Sequence, residues 1–424
     1  MAETALPTHI AETLVAPSAY ASNRIFEAYS WLRANNPLGL AEVEGYDPFW
    51  VVTKHADILE VSRNNALYPS GVRATTITNQ AGDQRARAIT GTPHLVRSLV
   101  QMDEPDHMKY RLLTQAWFMP QSIKKREADV RALAKDAVAQ FVKLPGACDF
   151  VKDVALHYPL RVVMNILGVP PEDFDRMLRL TQELFGSSDP DTERFKAALT
   201  DEQFMQLLMG VIQDFNDYFA AISADRRQVP RDDLATLIAN AQIDGQPIPD
   251  FEATGYYTIV ATAGHDTTSS STAGAMWALA TQPGLLERVR ADLSCVPNLI
   301  EEAIRWTTPV KTFMRSASAD AELRGRHIKR GDWLMLCYAS GNRDEEVFPH
   351  SDKFDIDRTP NRQLAFGMGA HLCLGQHLAR MEMRILFEEL APRLKSVKLA
   401  GEPRYSESAF VNGLKTLPIA FELA

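Results

Sequence analysis

The sequence predicts a mainly α-helical protein with small β-sheets, and three observations support this prediction. Long amphipathic segments with helical periodicity dominate, among them READVRALAKDAVAQFVKL and EQFMQLLMGVIQDFNDYFAAISADRR. Strand signals are few and short. The 424 residues are 46% hydrophobic and 23% charged, which is typical of a globular chain with a large core. Because no linker divides the chain, we expect a single domain over residues 1–424, with residues 1–20 as an N-terminal arm.

The elements follow in chain order. FWVVTKHADILEVSRN predicts a strand that enters a helix, whereas residues 68–99 show no clear period and are predicted to be irregular. The polar stretch GSSDPDTERFKAALTDEQ predicts a loop between two helices. LRGRHIKRGDWLMLCYASGNRD predicts a small sheet built around a turn at Gly331. Residues 364–390 pass from a glycine-punctuated segment into a strongly amphipathic helix.

Charge and composition exclude several classes of protein. The net charge is −9, the pI is near 5.6, and no long basic run occurs, so the sequence predicts no nucleic-acid partner. The N-terminal stretch lacks a cationic leader, and no uncharged apolar run reaches the roughly 20 residues of a membrane span. The four cysteines are far apart and form no CxxC pair, which favours reduced thiols in the cytoplasm.

The segment IVATAGHDTTSSSTAGAMWALA, residues 259–280, resembles a buried helix with an unsuitable centre. It carries Gly264, His265, Asp266 and a run of hydroxyl residues in its middle. Glycine costs roughly 1 kcal/mol against alanine in a helix, and Ser, Thr and Asp compete for backbone hydrogen bonds. The pattern therefore indicates a functional demand at this place. For residues 269–272, an alternative is that the hydroxyls only bond back to the preceding turn.

Cys373 lies where the glycine-rich segment enters the late helix. Unpaired backbone N–H groups and the helix dipole favour an anion at that position. Gly367, Gly369 and Gly375 leave room for a tight backbone or for a flat ligand. A thiolate held there could bind a metal, and the alternative is a buried structural cysteine.

Several motifs together resemble the cytochrome P450 family. Phe366, Gly369, Cys373 and Gly375 form the pattern F-x-x-G-x-x-x-C-x-G, which is similar to the family's haem-binding signature. EAIR, AGHDTT and DHMKYR are similar to its E-x-x-R pair, its oxygen-activating helix and its early propionate-binding helix. The resemblance covers nearly the whole chain, from about residue 46 to the C-terminus. It implies the P450 fold, a single triangular domain.

The resemblance also implies a haem-thiolate monooxygenase that uses O2. Haem b would be bound with Cys373 as the iron's thiolate ligand, and Asp266 and Thr267 would deliver protons and hold oxygen and water by hydrogen bonds. The propionate partners implied by position are His107, Arg111, Arg315 and His371. Glu302, Arg305 and Arg358 match a buried charge cluster that is structural in the family, so we exclude them from the active site.

The substrate is expected to be small and hydrophobic. TAGHDTTSSS, GYDPFW, PVKTFMR and CLGQHLA resemble the soluble bacterial members that hydroxylate monoterpenoids such as α-terpineol, which implies a monoterpenoid or alkyl-aromatic substrate. A pocket with an apolar lining would bind a compact hydrocarbon. The predicted contacts, all apolar or small, are Leu99, Val100, Val260, Ala263, Val310, Phe313, Phe410 and Val411.

Electrons must come from another protein, because no flavin or iron–sulfur region is fused to the chain. The resemblance implies a monomer served by a [2Fe–2S] ferredoxin and its NAD(P)H-dependent reductase. A basic docking patch is predicted from Lys109, Arg111, Lys124, Lys125, Arg380 and Arg384, the alternative being scattered solubilising charges. Two other functions stay open, a peroxide-driven haem peroxygenase and a non-catalytic haem-binding sensor or electron carrier. The GHDTT motif argues against the peroxygenase.

Overall fold

The computed structural model describes residues 4–187, 189–192, 194 and 199–424, and helices form most of it. The predicted polar loop between two helices lies partly outside these described residues. The helices that the structure describes are α1 (Thr8–Val15), α2 (Pro17–Ala21), α3 (Arg24–Asn35), α4 (His55–Arg63), α5 (Gln80–Thr90), α6 (Asp106–Gln115), α7 (Pro120–Lys125), α8 (Glu127–Phe141), α9 (His157–Leu167), α10 (Phe174–Phe185), α11 (Asp201–Gln228), α12 (Leu234–Ala239), α13 (Asp250–Ala263), α14 (Asp266–Thr281), α15 (Leu285–Ala291), α16 (Val296–Thr307), α17 (Tyr338–Gly341) and α18 (Gln376–Leu390).

The strands are short and form five small sheets in the described part of the chain. They are β1 (Leu38–Ala41), β2 (Phe49–Val52), β3 (Ala147–Asp149), β4 (Gln242–Ile243), β5 (Gln246–Pro247), β6 (Thr312–Ser316), β7 (Ala321–Leu323), β8 (Arg326–Ile328), β9 (Trp333–Cys337), β10 (Leu394–Leu399), β11 (Arg404–Tyr405), β12 (Leu414–Thr416) and β13 (Pro418–Leu423). The largest sheet has the order β1-β2-β9-β6, and β10-β13-β3 form the next. β11-β12, β4-β5 and β7-β8 form two-stranded sheets. The mainly helical fold class is confirmed.

Most of the long elements lie where periodicity places them. The predicted strand and helix near the start are β2 and α4, and α8, α11 and α18 coincide with the three amphipathic segments. The prediction that residues 68–99 are irregular was wrong in part, because this stretch contains α5. Asn79 caps α5 by accepting a hydrogen bond from the Gly82 N–H, and Gly91 ends it in the left-handed region.

The predicted sheet around Gly331 is also different in the structure. The hairpin β7-β8 turns at Arg324 and Gly325, both with positive φ. After Gly331 the chain enters β9, which pairs with β2 and β6 instead of β8. The turn therefore connects two sheets and does not close one.

The core consists of three buried clusters of apolar side chains. The largest includes residues from Leu99 to Phe421 and joins helices α6 to α18 with the β10-β13-β3 sheet. The second holds the described part of the predicted arm, because Leu6, Ile10 and Leu14 are buried in it. The single-domain organisation stays a prediction. Across the described ranges, no helix has both the length and the apolar character that crossing a membrane requires.

A buried charge network fixes the segment that leads to Cys373. The Arg305 guanidinium donates to Glu302 at 2.6 and 2.8 Å, and Arg358 donates to the same carboxylate at 3.2 Å. Arg305 also donates to the carbonyls of Asn342, Ser351 and Lys353. Since Glu302 and Arg305 are fully buried, their charges are balanced within the protein and not by solvent.

Glu302→Ala is expected to lower the free energy of unfolding by about 3–5 kcal/mol, because it leaves two buried guanidinium groups without their carboxylate. Urea unfolding measures the effect. The control is Glu422→Ala, which removes the exposed pair with Lys395 and should leave the unfolding curve unchanged. Equal losses in the two variants would contradict the role assigned to the network.

Candidate active site

The helix predicted at residues 259–280 is interrupted at its polar centre. α13 ends at Ala263 and α14 begins at Asp266, with Gly264 and His265 between them. A Cβ added to Gly264 would lie 2.7 Å from Val163 Cγ2 on α9. The glycine thus permits close packing of α9 against the interruption, which is a demand from tertiary structure that overrides helix propensity.

The hydroxyl residues after the interruption differ in their partners, and Thr268 bonds to the Glu382 side chain. Thr267, Ser270 and Ser271 bond back to the carbonyls of the preceding turn at 2.8 to 3.0 Å. The buried hydroxyls of Ser269 and Thr272 have no hydrogen-bond partner among the described residues. Back-bonding therefore explains Ser270 and Ser271 but not Ser269 and Thr272.

Asp266 is a half-buried acid at the start of α14, and its Oδ2 atom is buried. Burial raises the pKa of Asp266, and the nearby His265 opposes that shift. Its Oδ2 atom has no hydrogen-bond partner in the described part of the chain. Thr267 is half-buried, and its hydroxyl donates to the Ala263 carbonyl at 2.8 Å. An acid that readily holds a proton is thus adjacent to a hydroxyl oxygen that can still accept a hydrogen bond.

Cys373 lies in a tight loop before α18. Its amide donates to the Phe366 carbonyl at 2.8 Å, and the loop turns through left-handed Gly367 and Gly369. A Cβ on Gly369 would lie 2.1 Å from the Ser62 carbonyl oxygen, so only glycine fits against α4 there. Burial raises the pKa of the Cys373 thiol, while backbone N–H groups of Gly375 and Gln376 favour its thiolate. The predicted position at a helix N-terminus agrees with the start of α18 at Gln376.

Basic side chains converge beside this loop. The rings of His107 and His371 lie 4.3 Å apart between centroids. Arg111 donates to the Leu372 carbonyl at 2.8 Å, and buried Arg315 donates to its neighbour's carbonyl, Met314, at 2.7 Å. Burial lowers the pKa of His371 to about 2, with further contributions from Arg315, His107 and Arg111.

No carboxylate of the described residues pairs with Arg111 or Arg315, and both ring nitrogens of buried His107 are without a hydrogen-bond partner there. Guanidinium groups withdrawn from water, as in Arg111 and Arg315, require an anion as partner. All four predicted side chains thus belong to one cluster, which is suited to carboxylates supplied by a ligand.

Four of the predicted apolar contacts form one wall. Val310 pairs with Val411 in an isolated bridge, and the rings of Phe313 and Phe410 lie 5.2 Å apart. The Lys311 amide donates to the Phe410 carbonyl at 2.8 Å, which fixes the C-terminal turn against β6.

The other four predicted contacts lie on two further segments. Ala263 is exposed and Val260 half-buried, although the helix residues between them are buried. Since they lie three residues apart, they share one face with Thr267. Leu99 is buried and Val100 half-buried, in a segment tied to α13 by the Arg97–Glu252 ion pair at 2.6 Å.

The structure adds residues that sequence reasoning missed. Phe185 at the end of α10 contacts Phe410, with 5.9 Å between ring centroids, and so extends the apolar wall. In the sequence, Phe185 is marked only as an apolar residue beside a predicted polar loop. His265 is bonded to two other helices, and no local signal indicates those partners.

Ion pairs with acidic side chains neutralise part of the positive charge of the predicted basic patch. Lys109 pairs with Asp244 at 2.6 Å, Arg384 pairs with Glu388 at 2.6 Å, and Arg380 pairs with Glu301. Arg111 points inward to Leu372. Of the six predicted cations, Lys124 and Lys125 have no ion pair within the described residues, so the local positive field is weaker than the sequence predicts.

Comparisons with known proteins agree on one family. A family model described as Cytochrome P450 matches residues 72–395. The chain is 47% identical to cytochrome P450-terp of a Pseudomonas species, with 100% of both chains covered. It is 32% identical to a steroid C26-monooxygenase of Mycobacterium tuberculosis, with 95% of each covered. The solved structure of CYP108D1 from Novosphingobium aromaticivorans matches with a TM-score of 0.92 and 44% identity over 100% of both chains.

Gly264→Ala is expected to cost about 1–3 kcal/mol of folding free energy, because the new methyl group overlaps Val163. Adding Val163→Ala should recover part of the loss. The matched control is Gly210→Ala in α11, where the nearest atom to the new Cβ is Arg194 Nη1 at 3.4 Å, and a slight stabilisation is expected. Urea unfolding of the three variants measures these effects. A loss that Val163→Ala leaves unchanged would contradict the packing argument.

Proposed function

The chain belongs to the cytochrome P450 family, and from that premise we propose that it hydroxylates a compact terpenoid or alkyl-aromatic hydrocarbon. Membership makes it a haem-containing P450 monooxygenase that uses O2 and an organic substrate. The observation that carries the substrate class is the apolar wall of Val310, Phe313, Phe410 and Val411. The identity of 47% to cytochrome P450-terp supports the same class.

The residues present fit haem. Haem carries two propionates, and the cluster of His107, Arg111, Arg315 and His371 provides donors in which neither arginine has an acidic partner among the described residues. Arg111 and Arg315 can bind a carboxylate through their planar guanidinium groups. Cys373 would be the sulfur ligand. When bound, haem supplies the iron chemistry by which this family activates O2 and transfers one oxygen atom to substrate.

The loop around Cys373 controls how much charge its sulfur carries. The N–H groups of Gly375 and Gln376 bond to the sulfur and favour the thiolate, because hydrogen bonds to the charged form stabilise it. Burial has the opposite effect on the thiolate. The two effects together place a sulfur ligand of moderated basicity at the start of α18.

Asp266 and Thr267 would divide the handling of protons and oxygen between them. Burial raises the pKa of Asp266, which favours protonation of the carboxyl and suits a group that passes protons on. The Thr267 hydroxyl donates to the Ala263 carbonyl, which leaves its oxygen to accept from a water molecule. An ordered water at that hydroxyl would connect the acid with the reacting oxygen.

A small [2Fe–2S] ferredoxin with its reductase would supply the electrons. Of the predicted patch, Lys124 and Lys125 lack an ion pair in the described residues and Arg111 points inward to Leu372, while exposed Met108, Leu112 and Met119 lie on or beside α6. Docking would then combine a few charges with apolar contacts. Its dependence on salt would be modest.

Thr267→Ala should keep the fold and haem binding but lower the product formed per NADH, because water and oxygen lose the hydroxyl that orders them. NADH consumption should continue and hydrogen peroxide should be released. Asp266→Asn should instead slow turnover by about 10² to 10⁴-fold, the usual effect of losing a positioned proton donor. Product, NADH and peroxide are measured together with the ferredoxin system.

The matched control is Thr281→Ala, which removes a hydroxyl bonded at 2.7 Å to the Trp277 carbonyl at the other end of α14. It should leave the ratio of product to NADH unchanged. A normal ratio in Thr267→Ala would remove the role proposed for that hydroxyl.

Titration with α-terpineol or an alkyl benzene should shift the haem optical spectrum toward high spin, since the lining is apolar and compact. Phe410→Ala should weaken this binding by about tenfold or more, because it removes an aromatic contact of the wall. Phe251→Ala, on an exposed position of α13, is the control and should bind normally. A long fatty acid binding far more tightly than every terpenoid would overturn the substrate class.

A further inference from the structure

His265 lies in the AGHDTT segment at the helix interruption, and the proposed function gives it no role. It lies between Gly264 and Asp266 and is fully buried. Its Nδ1 lies 2.8 Å from Thr181 Oγ1 on α10, and its Nε2 lies 2.8 Å from the Leu156 carbonyl oxygen before α9. Two separate helical regions thus hold the ring at both nitrogens.

The network can accept two protonation states of the ring. The Leu156 carbonyl only accepts, so Nε2 carries a hydrogen. The Thr181 hydroxyl has one hydrogen and two possible acceptors, the Leu178 carbonyl at 3.0 Å and Nδ1 of His265. When the hydroxyl donates to Leu178, Nδ1 must donate and the ring is an imidazolium. When the hydroxyl donates to Nδ1, the ring is neutral. Rotation of one hydroxyl switches between these states without moving a heavy atom.

The imidazole is also the nearest charge partner of Asp266. Nδ1 of His265 lies 3.6 Å from Asp266 Oδ1. Among the described residues, His265 is the only charged or titratable side chain that shifts the pKa of Asp266, which burial raises and His265 opposes. An ionised Asp266 in this setting needs a compensating charge, because a buried unpaired carboxylate is costly.

The elements packed around the pair bring few other titratable groups. α10 brings uncharged Thr181, and α9 brings His157, which interacts electrostatically with His265, Arg161, Asp175 and Asp153. On α18, Glu382 is buried and bonds to Thr268 on the next turn of α14. Burial holds the pKa of Glu382 well above its usual range, which favours the protonated acid.

We propose that His265 is a positioning residue for Asp266, which fixes the carboxyl at the helix interruption and balances its charge each time the acid ionises. The inference rests on the proposed function, in which Asp266 passes protons to the site. His265 touches neither substrate nor haem in this assignment, and it acts through Asp266.

The first test compares the pH dependence of product formation in holoenzyme with saturating ferredoxin and α-terpineol. The limb of this pH profile that is absent in Asp266→Asn is assigned to the ionisation of Asp266. A neighbouring positive charge favours the carboxylate, so its removal raises the pKa of Asp266. In His265→Leu this limb should therefore move to higher pH by about one unit. In the Asp266→Asn background, His265→Leu should cause no further loss of turnover.

The conservative variant separates positioning from simple support of the fold. The amide of His265→Gln can still donate to the Leu156 carbonyl, so its melting temperature should be near that of the wild type. Because glutamine carries no charge, its pH limb should move as in the leucine variant. The matched control is His55→Gln, which alters a buried histidine whose Nε2 lies 2.8 Å from the Arg362 carbonyl oxygen, and its pH limb should not move.

The outcomes distinguish a failure of the role proposed for Asp266 from a failure of the role proposed for His265. If Asp266→Asn keeps wild-type turnover and coupling, the proposed role of Asp266 fails. If Asp266→Asn is impaired but His265→Gln keeps the wild-type pH profile, the role of His265 is overturned while that of Asp266 stands. A displaced limb in His265→Gln with an unchanged melting temperature supports the proposal.

Discussion

The buried ion pair of Glu302 and Arg305 is the interaction on which the position of the cysteine loop depends. Arg305 satisfies three carbonyls of a segment without regular structure, and Glu302 accepts from the Asp355 N–H and from Asn361. Asn342, in the same network, accepts from the Leu364 N–H at 2.6 Å. Because irregular backbone in a core needs such partners, the pair fixes residues 342–364 and thereby the loop that follows.

The interruption between α13 and α14 positions the polar residues of the candidate site. A regular helix would place the polar run of residues 264–272 in an apolar core with every backbone group already paired. Close packing of Val163 at Gly264 and the two bonds of His265 hold the break in place. The break brings Asp266 and Thr267 to the beginning of a new helix, where an acid is favoured. Helix propensity is overridden there by tertiary packing, and the proposed function gives the polar groups at that place a use.

Periodicity predicted the long helices well, since α8, α11 and α18 each bury one face along many turns. It missed α5, which buries only Ala86 and is defined by its caps. It joined the wrong strands at Gly331, because β9 passes over the adjacent hairpin and pairs with β6 and with the distant β2. In the candidate site, motif spacing selected Cys373, Asp266 and Thr267, which stay predictions, whereas the partners of His265 lie 84 and 109 residues away and no local pattern encodes them.

Electrostatic balance unites the two sides of the site. Arg111 and Arg315 bring positive charge to a partly buried cluster, and in the proposed function the haem propionates compensate this charge. Binding of haem would then stabilise the folded chain, because the unfolded chain keeps these charges in water. Asp266 poses the opposite problem in the proposed function, where its charge appears and disappears during turnover. A permanent cation beside Asp266 would hold the acid ionised, whereas the hydrogen bonds of His265 with Thr181 and Leu156 suit either a neutral or a charged ring. On this proposal, the same need for charge balance accounts for arginines beside the haem carboxylates and for an imidazole beside the acid.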